Sequence, residues 1–358
     1  MILLLLVLTG PAAQGAERLE GAIGLDVLED TAAGYLGGNL SPREVTGEDY
    51  ASGVRSLLAE NRGEFDGALR GAVRSGVLLL TVAMLCGMAE SVREELGGTG
   101  LDPVRLAGAT AVTVVAVADV NSLMGLGRQA LDGMNVFAKV LLPTVTAACA
   151  AAGMPASAAA RQGATLLFLN LLMTLVDRFL LPLVFAYVAT CTAGAALGND
   201  GLKRLSGLVK WGCTGLLTLL LTGFVFYLTL SGAVGRSSDV VAQKAAKTAL
   251  SGMVPVVGGV LADAAETVIA GAGVLKGTVG VLGLLTVLCI CLGPFLHLGC
   301  HYLVYKLCAA LTATVTTGPT AGLIDALGSA FALVLGMTGG EAFILYVALV
   351  TSIKAVSV

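Results

Sequence analysis

Two carboxylates and a lysine stand out in residues 251–277, a segment that separates two strongly apolar blocks of the chain. Asp263 and Glu266 are three positions apart, so on a helix they share one face. Lys276 follows near the end of the segment. Ionisable groups at membrane depth mark ion and substrate pathways, so these side chains are suited to line a pore or to gate a channel.

The backbone that carries these side chains is predicted to be broken. Pro255 removes a hydrogen-bond donor and clashes with the preceding turn, and the glycines that follow it weaken a helix interior. Irregular backbone is tolerated at membrane depth only where protein or water covers it. The sequence therefore predicts a broken or re-entrant element within residues 236–276, with these candidate functional residues: Pro255, Gly258, Gly259, Asp263, Glu266 and Lys276.

Several charged side chains fall inside apolar segments. An ionised group at the bilayer centre costs about 2.5 to 3.5 kcal/mol on the insertion scale, so each needs a partner, water or a position near the interface. Asp177 and Arg178 point apart on a helix, so either their partners come from other segments or the pair lies at a hairpin tip. The candidate intramembrane polar residues are Asp119, Asp177, Arg178 and Glu341.

Enzyme motifs are absent from the sequence. It contains no G-x-x-x-x-G-K-[ST], G-x-S-x-G or H-E-x-x-H pattern, so we expect no ATP hydrolysis, no enzymatic activity and no cofactor. The two histidines stand in HLGCH, where His297, Cys300 and His301 could share a helix face as metal ligands. The competing interpretation is that buried cysteines act here as small apolar residues. All eight cysteines fall in apolar segments, which does not indicate a disulfide framework.

The composition is that of a membrane protein. Hydrophobic residues make up 56% of the chain and charged residues only 13%, against about 25% charged in soluble domains. The mean hydropathy is +0.89. A net charge of -3 without a cluster of basic residues gives no footprint for nucleic acid. The sequence thus predicts an all-α, polytopic integral membrane protein that contacts the lipid bilayer and binds no nucleic acid.

Apolar segments long enough to cross the hydrocarbon predict about eight transmembrane helices. The segment 163–197 is too long for one span, and Asp177 and Arg178 interrupt it, so it is either a hairpin or a broken helix. The other predicted spans are 75–89, 106–127, 134–153, 213–233, 277–298, 302–317 and 327–350.

The N-terminal part of the chain is predicted to differ from the rest. Residues 1–15 combine a short apolar run with a small-residue cleavage pattern, which indicates either a cleaved signal peptide or a retained anchor. Residues 16–73 are richer in charge and have apolar positions at helical spacing, so we expect a small helical extracytoplasmic region. Residues 74–358 then form the transmembrane domain.

Residues 199–211 are predicted to form a helix in the membrane interface. Lys203, Arg204 and Lys210 alternate with leucines, and Trp211 stands at the boundary. Basic residues in a short loop also favour the cytoplasmic side. This agrees with an external N-terminal region if the segment 163–197 is a hairpin, and the broken element 236–276 then lies outside.

The region 240–311 resembles the stage III sporulation protein AE family. The resemblance is carried by MVPVVGGVLADAAETV at residues 253–268, LKGTVGVLG at 275–283 and HYLVYKLCAAL at 301–311. The polytopic layout after about residue 73 agrees with it.

The resemblance implies a role in endospore formation. Proteins of this family are membrane components of a transenvelope channel between mother cell and forespore, needed for late forespore development. Their implied partners are other stage III sporulation proteins, including an ATPase and ring-forming subunits, and their implied location is the mother-cell membrane around the forespore.

The leading hypothesis is therefore a membrane subunit of a sporulation channel that is not itself an enzyme. A second hypothesis is an autonomous secondary transporter that uses Asp119 or Glu341 for ion coupling. A third is a membrane-embedded metalloenzyme that uses His297 and His301.

Overall fold

The architecture was determined from a computed structural model. It describes residues 24–36, 59, 62–95, 103–151, 155–253, 258–316 and 319–354, with backbone alone for 90–95, 155, 157, 231–253, 258–278, 353 and 354. The predicted signal peptide, residues 1–15, lies outside this part of the chain. The helices are α1 (Leu25–Leu36), α2 (Arg62–Glu95), α3 (Pro103–Ala151), α4 (Pro155–Leu175), α5 (Leu181–Leu197), α6 (Asp200–Met253), α7 (Gly258–Val315) and α8 (Thr320–Lys354).

The described residues confirm the all-α membrane fold. They contain no strand, and they include six helices that are long and apolar enough to cross a membrane. Large apolar side chains point outward from these helices, as at Val114, Leu219 and Phe226, which are 65–73% exposed. Such a surface suits lipid contact better than water. The apolar stretches are Arg62–Ala89, Pro103–Ala151, Ala158–Leu197, Asp200–Leu230, Val279–Val315 and Thr320–Ser352.

The expected count of about eight spans is not confirmed, because pairs of predicted spans form single helices. The predicted spans 106–127 and 134–153 belong to the continuous helix α3, which is 49 residues and roughly 70 Å long. The predicted spans 277–298 and 302–317 likewise belong to α7. The residues between the paired spans are less apolar, so loops were expected there. Hydropathy indicates which segments suit a lipid environment, but it does not show whether a helix continues between them.

The segment 163–197 is an interrupted helix, and the hairpin alternative is wrong. Helix α4 passes into α5 through one π-helical turn, Val176–Leu180, and the flanking Leu175 and Leu181 keep right-handed helical backbone angles. A π turn is a local irregularity that does not reverse the chain. The sidedness argument for residues 199–211 required the hairpin and therefore loses its basis.

The chain reverses between α5 and α6 at two residues suited to that turn. Gly198 adopts a φ of +63°, a left-handed conformation that favours glycine at a helix C-terminus. Asn199 caps α6, because its Oδ1 accepts a hydrogen bond from the Gly201 backbone N–H over 2.8 Å. Helix α6 then runs unbroken through the predicted interfacial segment 199–211 as its first turns.

Helix α8 is the centre of the bundle, since it packs against every other long helix. More than half of its apolar window is buried, a larger share than in any other span candidate of the described residues. Small residues permit this close packing in a membrane protein, where apolar burial from water does not drive helix association.

The short helix α1 packs against the body of the bundle. Leu25, Leu28 and Leu36 are buried, and Tyr35 meets Phe137 of α3 edge to face with ring centroids 6.2 Å apart. The Tyr35 carbonyl accepts a hydrogen bond from the Cys289 thiol of α7 over 3.0 Å. The predicted region 16–73 is thus helical at residues 25–36, while residues 62–73 are the start of the continuous helix α2.

Candidate functional site: polar groups between the helices

The predicted broken acidic element spans the boundary between α6 and α7. Helix α6 ends at Met253 and α7 begins at Gly258, while Pro255 lies outside the described residues. Gly259, Asp263, Glu266 and Lys276 follow within the first part of α7, before its apolar stretch. In this backbone register positions 263 and 266 lie on one helix face. For these positions the structure describes the backbone alone.

Asp119 has a partner on another helix. The Tyr305 hydroxyl of α7 donates a hydrogen bond to Asp119 Oδ2 of α3 over 2.7 Å. Tyr305 is fully buried, and its ring packs edge to face against Phe331 of α8 with centroids 4.8 Å apart. The cost of burying a carboxyl group predicted that Asp119 needs a partner. Tyr305 is that partner, and the sequence analysis did not identify it.

Asp177 pairs with a basic residue from a distant part of the chain. Its Oδ1 lies 3.2 Å from Nη2 of Arg128, which projects from the middle of α3. Arg128 is one of the polar residues between the two spans that were predicted within α3. Arg178 is exposed on the same π-helical turn. Of the two sequence alternatives, a partner from another segment is therefore the observed one, and there is no hairpin tip at these residues.

Glu341 lies in the middle of the central helix α8 and is fully buried. Neither of its carboxyl oxygens has a hydrogen-bond partner among the described residues. A buried polar group without a partner is costly and is rare in native structures, so its presence calls for a functional or structural reason.

A polar cluster that the sequence did not predict joins α6, α7 and α8. We call it the lysine-serine cluster: Lys210, Lys306, Asp325 and Ser329. Lys306 Nζ lies 2.7 Å from Asp325 Oδ1 and 3.2 Å from Ser329 Oγ, and Lys210 Nζ reaches the same Oγ over 3.2 Å. Lys306 lies within the predicted span 302–317, where an ionised side chain is costly. This lysine could have indicated the cluster from the sequence.

The histidines form no metal cluster in the described residues. Nδ1 of His297 lies 3.0 Å from the Gly293 carbonyl, and Nδ1 of His301 lies 2.8 Å from the His297 carbonyl. Each ring therefore bonds back to its own helix. No group of three or more His, Cys, Asp or Glu side chains suited to a metal occurs in the part of the chain that the structure describes. All eight cysteines are free thiols.

These features define a class: an all-helical polytopic membrane protein whose polar side chains meet between helices. The sequence profile of the family described as Stage III sporulation protein AE (spore_III_AE) matches residues 70–355. The chain belongs to this family.

A curated relative supports the assignment. The chain is 26% identical over 214 residues to the protein named Stage III sporulation protein AE of Bacillus subtilis (strain 168), an alignment covering 60% of this chain and 54% of the relative. The chain thus spans about half the length of that relative. No solved structure matches.

Proposed function

We propose that this chain is a membrane subunit of a sporulation channel between the mother cell and the forespore, needed for late forespore development. Membership in the stage III sporulation protein AE family, matched over residues 70–355, carries the proposal. In this proposal the protein lies in the mother-cell membrane, has no enzymatic activity of its own, and works with other stage III sporulation proteins, including an ATPase and ring-forming subunits.

The shape of the bundle is compatible with such a role. Helix α3 is about 70 Å long, more than twice the roughly 30 Å hydrocarbon thickness of a bilayer. Helices α6 and α7 have 54 and 58 residues and are longer still. Helices of this length offer surface outside the hydrocarbon on which other subunits can dock.

Recovery of partners tests the proposal. The tagged chain is solubilised in mild detergent from sporulating cells and purified, and its companions are identified by mass spectrometry. We expect the ATPase and the ring-forming subunits to copurify, and to be missing when an unrelated polytopic membrane protein carries the tag. A chain that is functional in sporulation but consistently purifies without them would contradict the proposal.

Within this function, the acidic segment at the start of α7 is the proposed channel or gating element. The double variant Asp263→Asn with Glu266→Gln keeps side-chain size and removes both charges. We expect fewer spores at normal protein level. The matched control, Asp26→Asn with Asp30→Asn, removes two exposed carboxylates from α1 and should leave the spore count unchanged. A full spore yield from the Asp263 and Glu266 variant would remove the element from the proposal.

Glu341 favours a second candidate function, an autonomous ion-coupled secondary transporter. A carboxyl group that is fully buried without a hydrogen-bond partner among the described residues is a typical site for a coupling proton or cation. The purified chain alone in liposomes would then show uptake driven by an ion gradient, and Glu341→Gln would abolish it. Transport that requires the partner proteins favours the channel subunit.

A further inference from the structure

Two lysines from different helices converge on one serine hydroxyl. Ser329 Oγ accepts a hydrogen bond from Lys210 of α6 and another from Lys306 of α7, each over 3.2 Å. The same hydroxyl donates to the Asp325 carbonyl over 3.1 Å. A serine hydroxyl has one donor and two lone pairs, so it can accept from both lysines at once. Ser329 is buried, and its bonds hold the two ammonium groups close together.

The charges of the cluster do not balance. Asp325 pairs with Lys306 over 2.7 Å, but no described carboxylate lies within ion-pair distance of Lys210. Each ammonium group has three N–H donors. Lys306 uses donors toward Asp325 and Ser329, and Lys210 uses one toward Ser329, so most of the Lys210 donors are available to a further acceptor. An anion is the ligand that would complete the site.

The cluster opens at the outer surface of the bundle. The Asp325 side chain is 51% exposed, and Lys210 is exposed as well. Large apolar side chains flank it and are exposed too: Leu208 and Trp211 on α6, and Leu303 and Leu307 on α7. Lys210 lies about 15 Å along α6 from its start, and Lys306 about 14 Å before the end of α7. The apolar stretches that hold them, Asp200–Leu230 and Val279–Val315, are both longer than the roughly 30 Å hydrocarbon thickness. A lysine side chain can extend its ammonium group from such a position toward the headgroups.

We propose that the lysine-serine cluster binds the phosphate group of an anionic phospholipid. The lysines contact the phosphate, and the exposed leucines and the tryptophan contact the acyl chains. Basic pockets between transmembrane helices bind acidic headgroups in this way, and charge-assisted hydrogen bonds to phosphate are strong. Free phosphate has the same headgroup chemistry without the acyl chains. This site is independent of the proposed sporulation function.

The test uses the purified chain in neutral detergent. Short-chain phosphatidylglycerol, short-chain phosphatidylcholine and inorganic phosphate are each titrated, and the rise in unfolding temperature gives an apparent affinity. We expect saturable binding of phosphatidylglycerol and no saturable binding of phosphatidylcholine or inorganic phosphate. Equal effects of phosphatidylcholine would overturn the proposal. If inorganic phosphate equals phosphatidylglycerol and depends on Lys210 in the same way, the occupant is soluble phosphate and the lipid assignment is wrong.

Three variants locate the site. Lys210→Gln leaves the Lys306 and Asp325 ion pair intact and should weaken binding about fivefold, the effect of one lysine near an anionic surface. The double variant Lys306→Gln with Asp325→Asn keeps the net charge of the protein, so weaker binding there cannot be a general charge effect. The control Lys203→Gln changes an exposed lysine of the same helix outside the cluster. The site would be refuted if Lys203→Gln weakened phosphatidylglycerol binding as much as Lys210→Gln. Unchanged binding in both cluster variants would also refute it.

Discussion

The Tyr305 hydroxyl donates a hydrogen bond to Asp119 Oδ2 over 2.7 Å and so ties α7 to α3. Because Tyr305 is fully buried, no water can readily replace the lost donor. We expect Tyr305→Phe to lower the free energy of unfolding by about 1 to 3 kcal/mol. The measurement is unfolding in detergent. Tyr302→Phe, one turn earlier, is the control and should change stability much less. Equal stability of Tyr305→Phe and the unaltered chain would mean that the bond has no structural role.

The π-helical turn Val176–Leu180 should tolerate the loss of one residue. A π turn accommodates an extra residue relative to an α-helix, so deletion there restores regular hydrogen bonding while the flanking helices keep their packing. We expect deletion of exposed Arg178 to give near-normal folded yield by size-exclusion chromatography. Deletion of exposed Leu171, within α4, rotates everything on one side of it and should abolish folded protein. If both deletions lowered the yield of folded protein equally, Val176–Leu180 would not be a π turn that can lose one residue.

Glu341 is expected to lower the stability of the bundle. Its two carboxyl oxygens are buried without hydrogen-bond partners among the described residues. Replacing an unpartnered buried polar group by an apolar group of similar size removes a desolvation cost. Glu341→Met should therefore raise the free energy of unfolding by about 1 to 3 kcal/mol. A clear loss of stability in Glu341→Met would show that the carboxyl group makes an essential interaction.

Gly328 lies at a close approach of α8 to α7. A Cβ atom there would lie 3.1 Å from the Cβ of Tyr305, an atom fixed close to the backbone. At Gly322 of the same helix, a Cβ atom would have no neighbour within 4 Å. Alanine favours a helix over glycine by about 1 kcal/mol. Unfolding measurements should show a gain for Gly322→Ala and none, or a loss, for Gly328→Ala. The reverse order would contradict the packing of these helices.

The membrane fold was predictable, because composition and long apolar stretches report directly on the solvent that surrounds a chain. The need of Asp119 for a partner was also predictable, because a carboxyl group within an apolar stretch is costly without one. Its identity was not, since Tyr305 is 186 positions away and only the tertiary packing brings the two together. The predicted number of spans was not confirmed, because two predicted spans belong to the single helix α3. Arg128, which lies between those two spans in sequence, is part of that helix and pairs with Asp177 of the neighbouring π turn.

The lysine-serine cluster shows a second limit of sequence reasoning. Lys210 fitted an interfacial basic helix, and Asp325 lies just before the predicted span 327–350, so neither residue suggested that both belong to one cluster. Their convergence depends on how α6, α7 and α8 pack, and no periodicity within one segment encodes that. Membership in the family, by contrast, follows from local sequence similarity over residues 70–355.

The count of heat-resistant spores most directly tests whether this chain is a membrane component that sporulation requires. The gene is removed from the spore-forming host, and the intact chain is then restored at a second locus. We predict that removal causes a large loss of spores, with forespores arrested late in development, and that the restored chain recovers the yield. An unchanged spore count after removal would contradict the proposed function.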